Sequence, residues 1–222
     1  MNNSVRNTAR LLAAGLRALL VLTLATGVIY PLVVTGIAQG LFSHQANGSE
    51  IKADGRVVGS SLIGQSYNLP LKKGQETPEP DLKWFQGRPQ NGLGTNDVNT
   101  RYKLILSGAT NRSGDNKELI DWVTAAKAAV VKDNSTAGYE VSPSDVPADA
   151  VTSSGSGLDP DISPQYAKIQ IHRVAERNGL SADQVEKLVE DHTDGRTLGF
   201  IGEPRVNVLE LNIALEELVA RS

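Results

Sequence analysis

Cysteine is absent from all 222 residues, which excludes disulfides, thiolate metal ligands and a cysteine nucleophile. Any folded part must therefore hold together by its core alone. Acidic residues are absent from positions 1–42, and between Leu11 and Phe42 the only charged residue is Arg17. The uncharged run "ALLVLTLATGVIYPLVVTGIAQGLF" is 25 residues long, about 37 Å as a helix, and crosses ~30 Å of hydrocarbon with some tilt. A cleaved signal peptide has a shorter apolar region ending in a small-x-small site, whereas this run ends in "AQGLFSHQ". Residues 18–42 are accordingly expected to form a retained transmembrane helix. Arg6, Arg10 and Arg17 precede it, and positive charge beside a span stays on the cytoplasmic side. Residues 1–17 are thus expected inside and residues 43–222 outside. All 25 acidic residues but only 19 of the 22 Lys and Arg lie after Phe42, a net charge of −6. Such a balance argues against nucleic acid as a partner.

Local catalytic signatures are missing too. Gly155 and Gly157 are followed by no lysine until Lys168, so the G-x-x-x-x-G-K-[ST] phosphate loop is not formed. Around Ser156 the flanking positions are Ser154 and Leu158, which fails the G-x-S-x-G nucleophile elbow. Asp159 and Asp161 lack the further oxygen ligands of a calcium loop. His44, His172 and His192 stand apart without zinc spacing. These absences leave "SSGSGLDPDISP" as a turn leading into a helix, with Ser163 as cap, Pro164 first, and Asp159 and Asp161 serving the helix dipole. No catalytic residue, metal ligand or directly bound cofactor is assigned. A membrane-anchored extracytoplasmic hydrolase using Ser154 or Ser156 with Asp159, or a ligand-binding domain, stays open as the alternative to a non-catalytic subunit.

What is present reads as an α+β chain: one N-terminal transmembrane helix, then a mixed α/β extracytoplasmic domain. Within the span, Tyr30-Pro31 falls near the midpoint, where the proline is expected to remove one backbone hydrogen bond and kink the helix. Gly36 and Gly40 form G-x-x-x-G, with Thr23 and Gly27 a further small-x-x-x-small pair, a spacing that admits a partner helix. Asp54-Gly55 predicts a hairpin between strands at 51–53 and 56–59. Residues 64–100 read as a long loop anchored by Trp84 and Phe85. A helix is expected over 115–131, with Asp115 capping, Glu118 closing the box, and Leu119, Trp122, Val123, Ala126 and Val130 on one face. The helix from Pro164 should stop at Gly179, and Ser181 with Gln184 should box the next. Asn207 and Glu210 should open the last, whose inner face carries Val208, Leu211, Leu215, Leu218 and Val219. Asn212 shares that face and is expected to make structural hydrogen bonds.

Seven stretches in register, "YPLVVTGIAQ", "GSSLIGQ", "WFQGRP", "SGATN", "SSGSGLDPDISP", "QIHRVAERNGL" and "LGFIGEPRVNVLELNIAL", resemble the C subunit (KdpC) family of bacterial potassium-importing Kdp P-type ATPases over nearly the full chain. The resemblance implies an accessory subunit in the bacterial inner membrane. Its implied partners are a channel-like potassium-binding subunit, an ATP-hydrolysing pump subunit and a small single-helix subunit. It also implies help in assembly, and a catalytic-chaperone role that raises the ATP affinity of the pump subunit, which uses the ATP. Signature positions carried over are Ser154, Gly155, Ser156, Gly157, Asp159 and Pro160 in the loop, and Glu203, Pro204, Arg205, Asn207 and Asn212 near the end. The family usually has histidine where this chain has Asp161. "SGATNRSGD" also departs from its pattern, and Leu71–Lys83 is longer than usual.

Overall fold

The apolar N-terminal segment forms one unbroken helical run in the computed structural model, which describes residues 2–75, 77–95 and 105–222. Helix α1 (Asn2–Leu24) passes through a π-helical turn (Ala25–Ile29) into α2 (Tyr30–Leu41). The helix therefore begins 16 residues before the expected start of the span. The π turn lies where Pro31 demands it. A proline ring collides with the carbonyl four residues back and supplies no N–H, and widening the preceding turn relieves both problems. The Tyr30 N–H reaches back to the Ala25 carbonyl, one residue further than in an α-helix. Among the described residues, Ser4–Leu41 is the one helix long and apolar enough to cross a membrane. A one-turn helix α3 (Ser43–Ala46) follows, tied by Asn47, whose side-chain amide pairs with that of Gln39 and donates to the Ser43 carbonyl at 2.7 Å.

The chain divides into two compact units, Met1–Glu50 and Ile51–Ser222. The second is built around α5 (Pro164–Asn178), which buries Tyr166, Ala167, Ile169, Gln170, Ile171, Arg173, Val174 and Ala175. A helix buried on most of its circumference, Gln170 and Arg173 included, must be covered on several sides. Here α4 (Lys117–Asn134), α6 (Ala182–Asp191) and strand β7 (Arg205–Asn207) pack against it. The terminal α7 (Val208–Arg221) continues from β7 and buries Leu211 and Leu215 completely. Strands are short: hairpin β1 (Glu50–Ala53) with β2 (Arg56–Ser60), the pair β3 (Gly94–Thr95) with β4 (Ile105–Leu106), and a three-stranded sheet in the order β5 (Asp161–Ile162), β7, β6 (Thr193–Asp194). Both pairings in that last sheet are antiparallel, with Asp161 opposite Asn207 and Thr193 opposite Val206.

Hairpin β1–β2 turns at Asp54-Gly55, both at positive φ, as the dipeptide predicted. The expected loop from 64 onward is irregular over most of its described length. Its Leu71–Lys83 stretch is closed at the base by the Leu69 N–H on the Glu79 carbonyl and the Asp81 N–H on the Tyr67 carbonyl, and residues 96–100 lie outside the described residues. Ser163, Pro164 and the left-handed Gly179 bound α5 as read, and Ser181 with Gln184 forms a complete capping box.

Further details differ, and α4 runs from Lys117 to Asn134 instead of 115–131. Asn116, not Asp115, caps α4 by accepting from the Leu119 N–H, because Asp115 is engaged by the Ser113 hydroxyl at 2.5 Å. Glu118 is drawn to Arg112 at 2.8 Å instead of closing a box. Val219 is exposed, since α7 has run past the core by its last turn.

Candidate functional site

Two groups of expected site residues have a definite geometry, one in each unit. In the N-terminal helix, Gly36 and Gly40 stand in open space: a methyl group built on either meets nothing within 4 Å, whereas at Gly27 it meets the Thr23 methyl at 3.9 Å. The fold of this chain therefore does not itself require glycine at 36 or 40. Such bare backbone is the surface that lets a second helix approach closely. Tyr30 and Pro31 sit at the junction of the π turn and α2.

In the second unit the signature stretches converge on one irregular segment, Leu82–Arg88. A buried loop without ladder partners must satisfy its backbone through side chains. Asn212 does so for Phe85, its Oδ1 accepting from the Phe85 N–H and its Nδ2 donating to the Phe85 carbonyl, both at 2.9 Å. Gln170 repeats the arrangement one residue on, accepting from the Gln86 N–H at 2.7 Å and donating to its carbonyl at 3.0 Å. Arg173 donates to the Leu82 carbonyl, to the Trp84 carbonyl at 3.0 Å, to Asn134 Oδ1 at 2.8 Å and to Gln170 Oε1 at 2.6 Å. Only 2% of it is exposed, and burial pulls its guanidinium down to about 10. It thus remains charged at neutral pH, its hydrogen bonds going to carbonyl and amide oxygens while the nearby carboxylates of Asp133 and Asp81 favour the charge. Beside it, burial pushes the Tyr166 hydroxyl up to about 12. The side chain of Phe85, tied at both backbone groups, is wholly buried.

The loop 153–164 is stitched to this segment and to the C-terminal strand. Ser154 and Ser156 face each other at 3.2 Å, and both hydroxyls accept backbone N–H groups of the loop, from Asp159 and Leu158 respectively. The Ser156 carbonyl receives the Gly108 N–H and the Ser107 hydroxyl, joining the "SGATN" stretch. Asp159 pairs with Arg88 at 3.0 Å and also accepts from the Asp161 N–H. Gly64 lies so close that a Cβ there falls 2.4 Å from the Asp159 carbonyl, which brings "GSSLIGQ" into the same junction. The Pro160 carbonyl takes the first N–H of α7, from Val208. Gly155 is an open turn and Gly157 a left-handed one. The two serine hydroxyls thus serve the turn itself, and Asp159 faces an arginine.

Asp159 and Asp161 do not serve the start of α5. That role belongs to Asp149, which accepts from the Ser163 N–H at 2.7 Å and the Ser163 hydroxyl at 3.0 Å. Asp161 instead meets Arg205 Nε at 3.2 Å and accepts from Asn207 Nδ2 at 3.3 Å. Its partial burial raises its pKa, against the lowering pull of Arg205. Asn207 caps α7 through the Glu210 N–H and holds the Ser61 carbonyl at 2.9 Å; no return bond from the Glu210 carboxylate is formed among the described residues. Glu203 pairs with Arg196 across the β6–β7 hairpin, whose tip exposes Leu198, Phe200 and Ile201. Pro204 leads into β7. Among the described residues no cluster of three or more His, Asp or Glu is arranged to hold a metal.

Gln86, Arg88, Asn134, Asp149, Gln170 and Arg173 were not singled out by the sequence reading. One signal was available: Gln170 falls on the same helical stripe as Ala167, Ile171 and Val174, a polar residue where an apolar one is expected.

Comparison with known proteins places the chain in a family. The family model described as "KdpC: K+-transporting ATPase, c chain" matches residues 12–217. The chain is 82% identical over 222 residues, all of both chains, to the potassium-transporting ATPase KdpC subunit of Streptomyces avermitilis. It is 77% identical over 220 residues to that of Streptomyces coelicolor, covering 99% of this chain and 98% of the relative. With the KdpC subunit of Mycobacterium tuberculosis it shares 43% over 209 residues, covering 94% and 99%. The chain belongs to the KdpC family, subunits of the potassium-transporting ATPase.

Proposed function

We propose that this chain is a non-catalytic accessory subunit of an ATP-driven, high-affinity potassium importer of the bacterial inner membrane. In this reading Ser4–Leu41 supplies a single crossing, the N-terminus is cytoplasmic and the acidic second unit is extracytoplasmic. The helix packs against the channel-like potassium-binding subunit, the ATP-hydrolysing pump subunit or the small single-helix subunit, while the second unit stabilises the assembly from outside. The chain binds no cofactor itself, and ATP is used by the pump subunit. A catalytic-chaperone effect on ATP affinity then acts through the transmembrane assembly, as a coupling between separate sites.

The observation that carries this reading is the bare backbone at Gly36 and Gly40, which the chain's own fold leaves without a neighbour. A Cβ at either position meets nothing within 4 Å in this chain, so leucine there fills the space a partner helix would use. Co-purification of the partner subunits with the Gly36→Leu/Gly40→Leu variant is expected to fall at least tenfold, with loss of high-affinity potassium uptake. Retention of both assembly and uptake rejects the packing role.

A further inference from the structure

The helix is longer than the bilayer needs. Ser4–Leu41 is 38 residues, about 57 Å at 1.5 Å per residue, against ~30 Å of hydrocarbon. Several N-terminal turns therefore lie at or beyond the headgroup layer, a consequence of α1 starting at Asn2. Those turns carry Arg6, Arg10 and Arg17, all exposed. At about 100° per residue the three fall within about 40° of one another around the axis. Among the described residues none has an ion-pair partner, and the sequence has no carboxylate before Glu50. The same turns expose Val5, Leu11, Leu12 and Leu16 away from the arginines, between 58% and 73%. A segment that is apolar on one side and basic in a single line on the other suits the boundary between acyl chains and headgroups more than water.

We infer that Arg6, Arg10 and Arg17 form a linear docking site for the phosphodiester headgroups of anionic lipids. This rests on the membrane-spanning reading above. The spacing does the selecting: with the helix tilted, guanidinium groups along one line face neighbouring phosphates of the same leaflet, with Arg17 reaching outward from the edge of the apolar run. An acidic protein surface shares the charge but gives no reason for the interleaved leucines, which a lipid boundary explains. Each engaged arginine is worth ~5-fold in preference for an anionic surface.

The test uses the full chain in nanodiscs containing equal phosphatidylglycerol and phosphatidylcholine, with retained lipids read by native mass spectrometry. Wild type is expected to retain phosphatidylglycerol at least fivefold over phosphatidylcholine, with the preference collapsing in high salt and unaffected by millimolar inorganic phosphate. Arg6→Gln/Arg10→Gln should abolish most of it. Arg10→Gln/Thr8→Arg keeps the charge but moves it to the opposite side of the helix, and should lose at least half. If the moved-charge variant retains lipid like wild type, bulk charge suffices and the linear site is overturned. Wild-type retention without headgroup preference overturns it as well, as does a loss of partner-subunit binding in these variants with lipid retention unchanged. A chain that alkaline carbonate strips from vesicles refutes the membrane crossing instead.

Discussion

Asn212 binds both backbone groups of Phe85, an amide side chain filling the place that a neighbouring strand occupies in a sheet. Replacing it by leucine keeps the volume and leaves one N–H and one C=O buried without partners, at roughly 1–3 kcal/mol for each unmade bond. Asn212→Leu is therefore expected to lower unfolding stability by about 3 kcal/mol, measured by chemical denaturation of the detergent-solubilised chain. A change under about 1 kcal/mol contradicts the clamp. Asn212 was legible in the sequence because a polar residue stood in an apolar row; Arg173 was not, since an arginine in a helix ordinarily faces water and only the fold shows the carbonyls that surround it.

Asp161 makes a second case. Partial burial raises its pKa above that of the unfolded chain, so its contribution to stability is fully present below the ordinary carboxylate value, ~3.9, and is lost as pH rises through the native value. Asp161→Asn should match wild type near pH 3.5 and gain relative stability toward pH 7 in thermal melts. A constant offset across that range contradicts the assignment.

Helix ends were the most legible elements, because a cap is a local event written in three or four residues. Ser163-Pro164, Gly179 and the Ser181–Gln184 box all form where the letters place them. The two- and three-residue strands were not legible: they are too short to show alternation, and β5 pairs with β7 across the 42 positions 163–204 in a register set by tertiary packing. The π turn was hidden for a related reason. Proline announces a disturbed helix, but whether it bends or widens depends on the turn before it. Asp149 shows how an end can be completed from a distance. It lies 14 residues before Ser163 and accepts both the Ser163 N–H and hydroxyl, fixing the cap that in turn receives the Tyr166 N–H. Asp149→Ala is expected to cost about 1–2 kcal/mol, in the range of a lost helix cap. Asp149→Asn, which keeps an acceptor, should recover at least half of that in the same unfolding measurement.

Charge is segregated along the whole molecule more sharply than composition alone suggests. Every carboxylate follows Glu50 or is Glu50 itself, and three arginines hold the other end of the long helix. Orientation in a bilayer follows basic residues next to the span far more than acidic ones, since retaining Lys and Arg on the cytoplasmic side outweighs the charge of a large translocated domain. The net −6 of residues 43–222 should therefore not be what sets the topology. A reporter active only outside the cytoplasm, fused after Ser222, is expected to be active in the wild-type chain, and a reporter active only inside to be silent. Arg6→Glu/Arg10→Glu/Arg17→Glu should shift a measurable fraction of chains to the inverse signal. Removing three acidic residues from the second unit should shift none. If the acidic substitutions invert the chain and the arginine substitutions do not, the domain dictates orientation. The helix then serves as a tether whose direction is imposed from outside, and its basic end is free for another role.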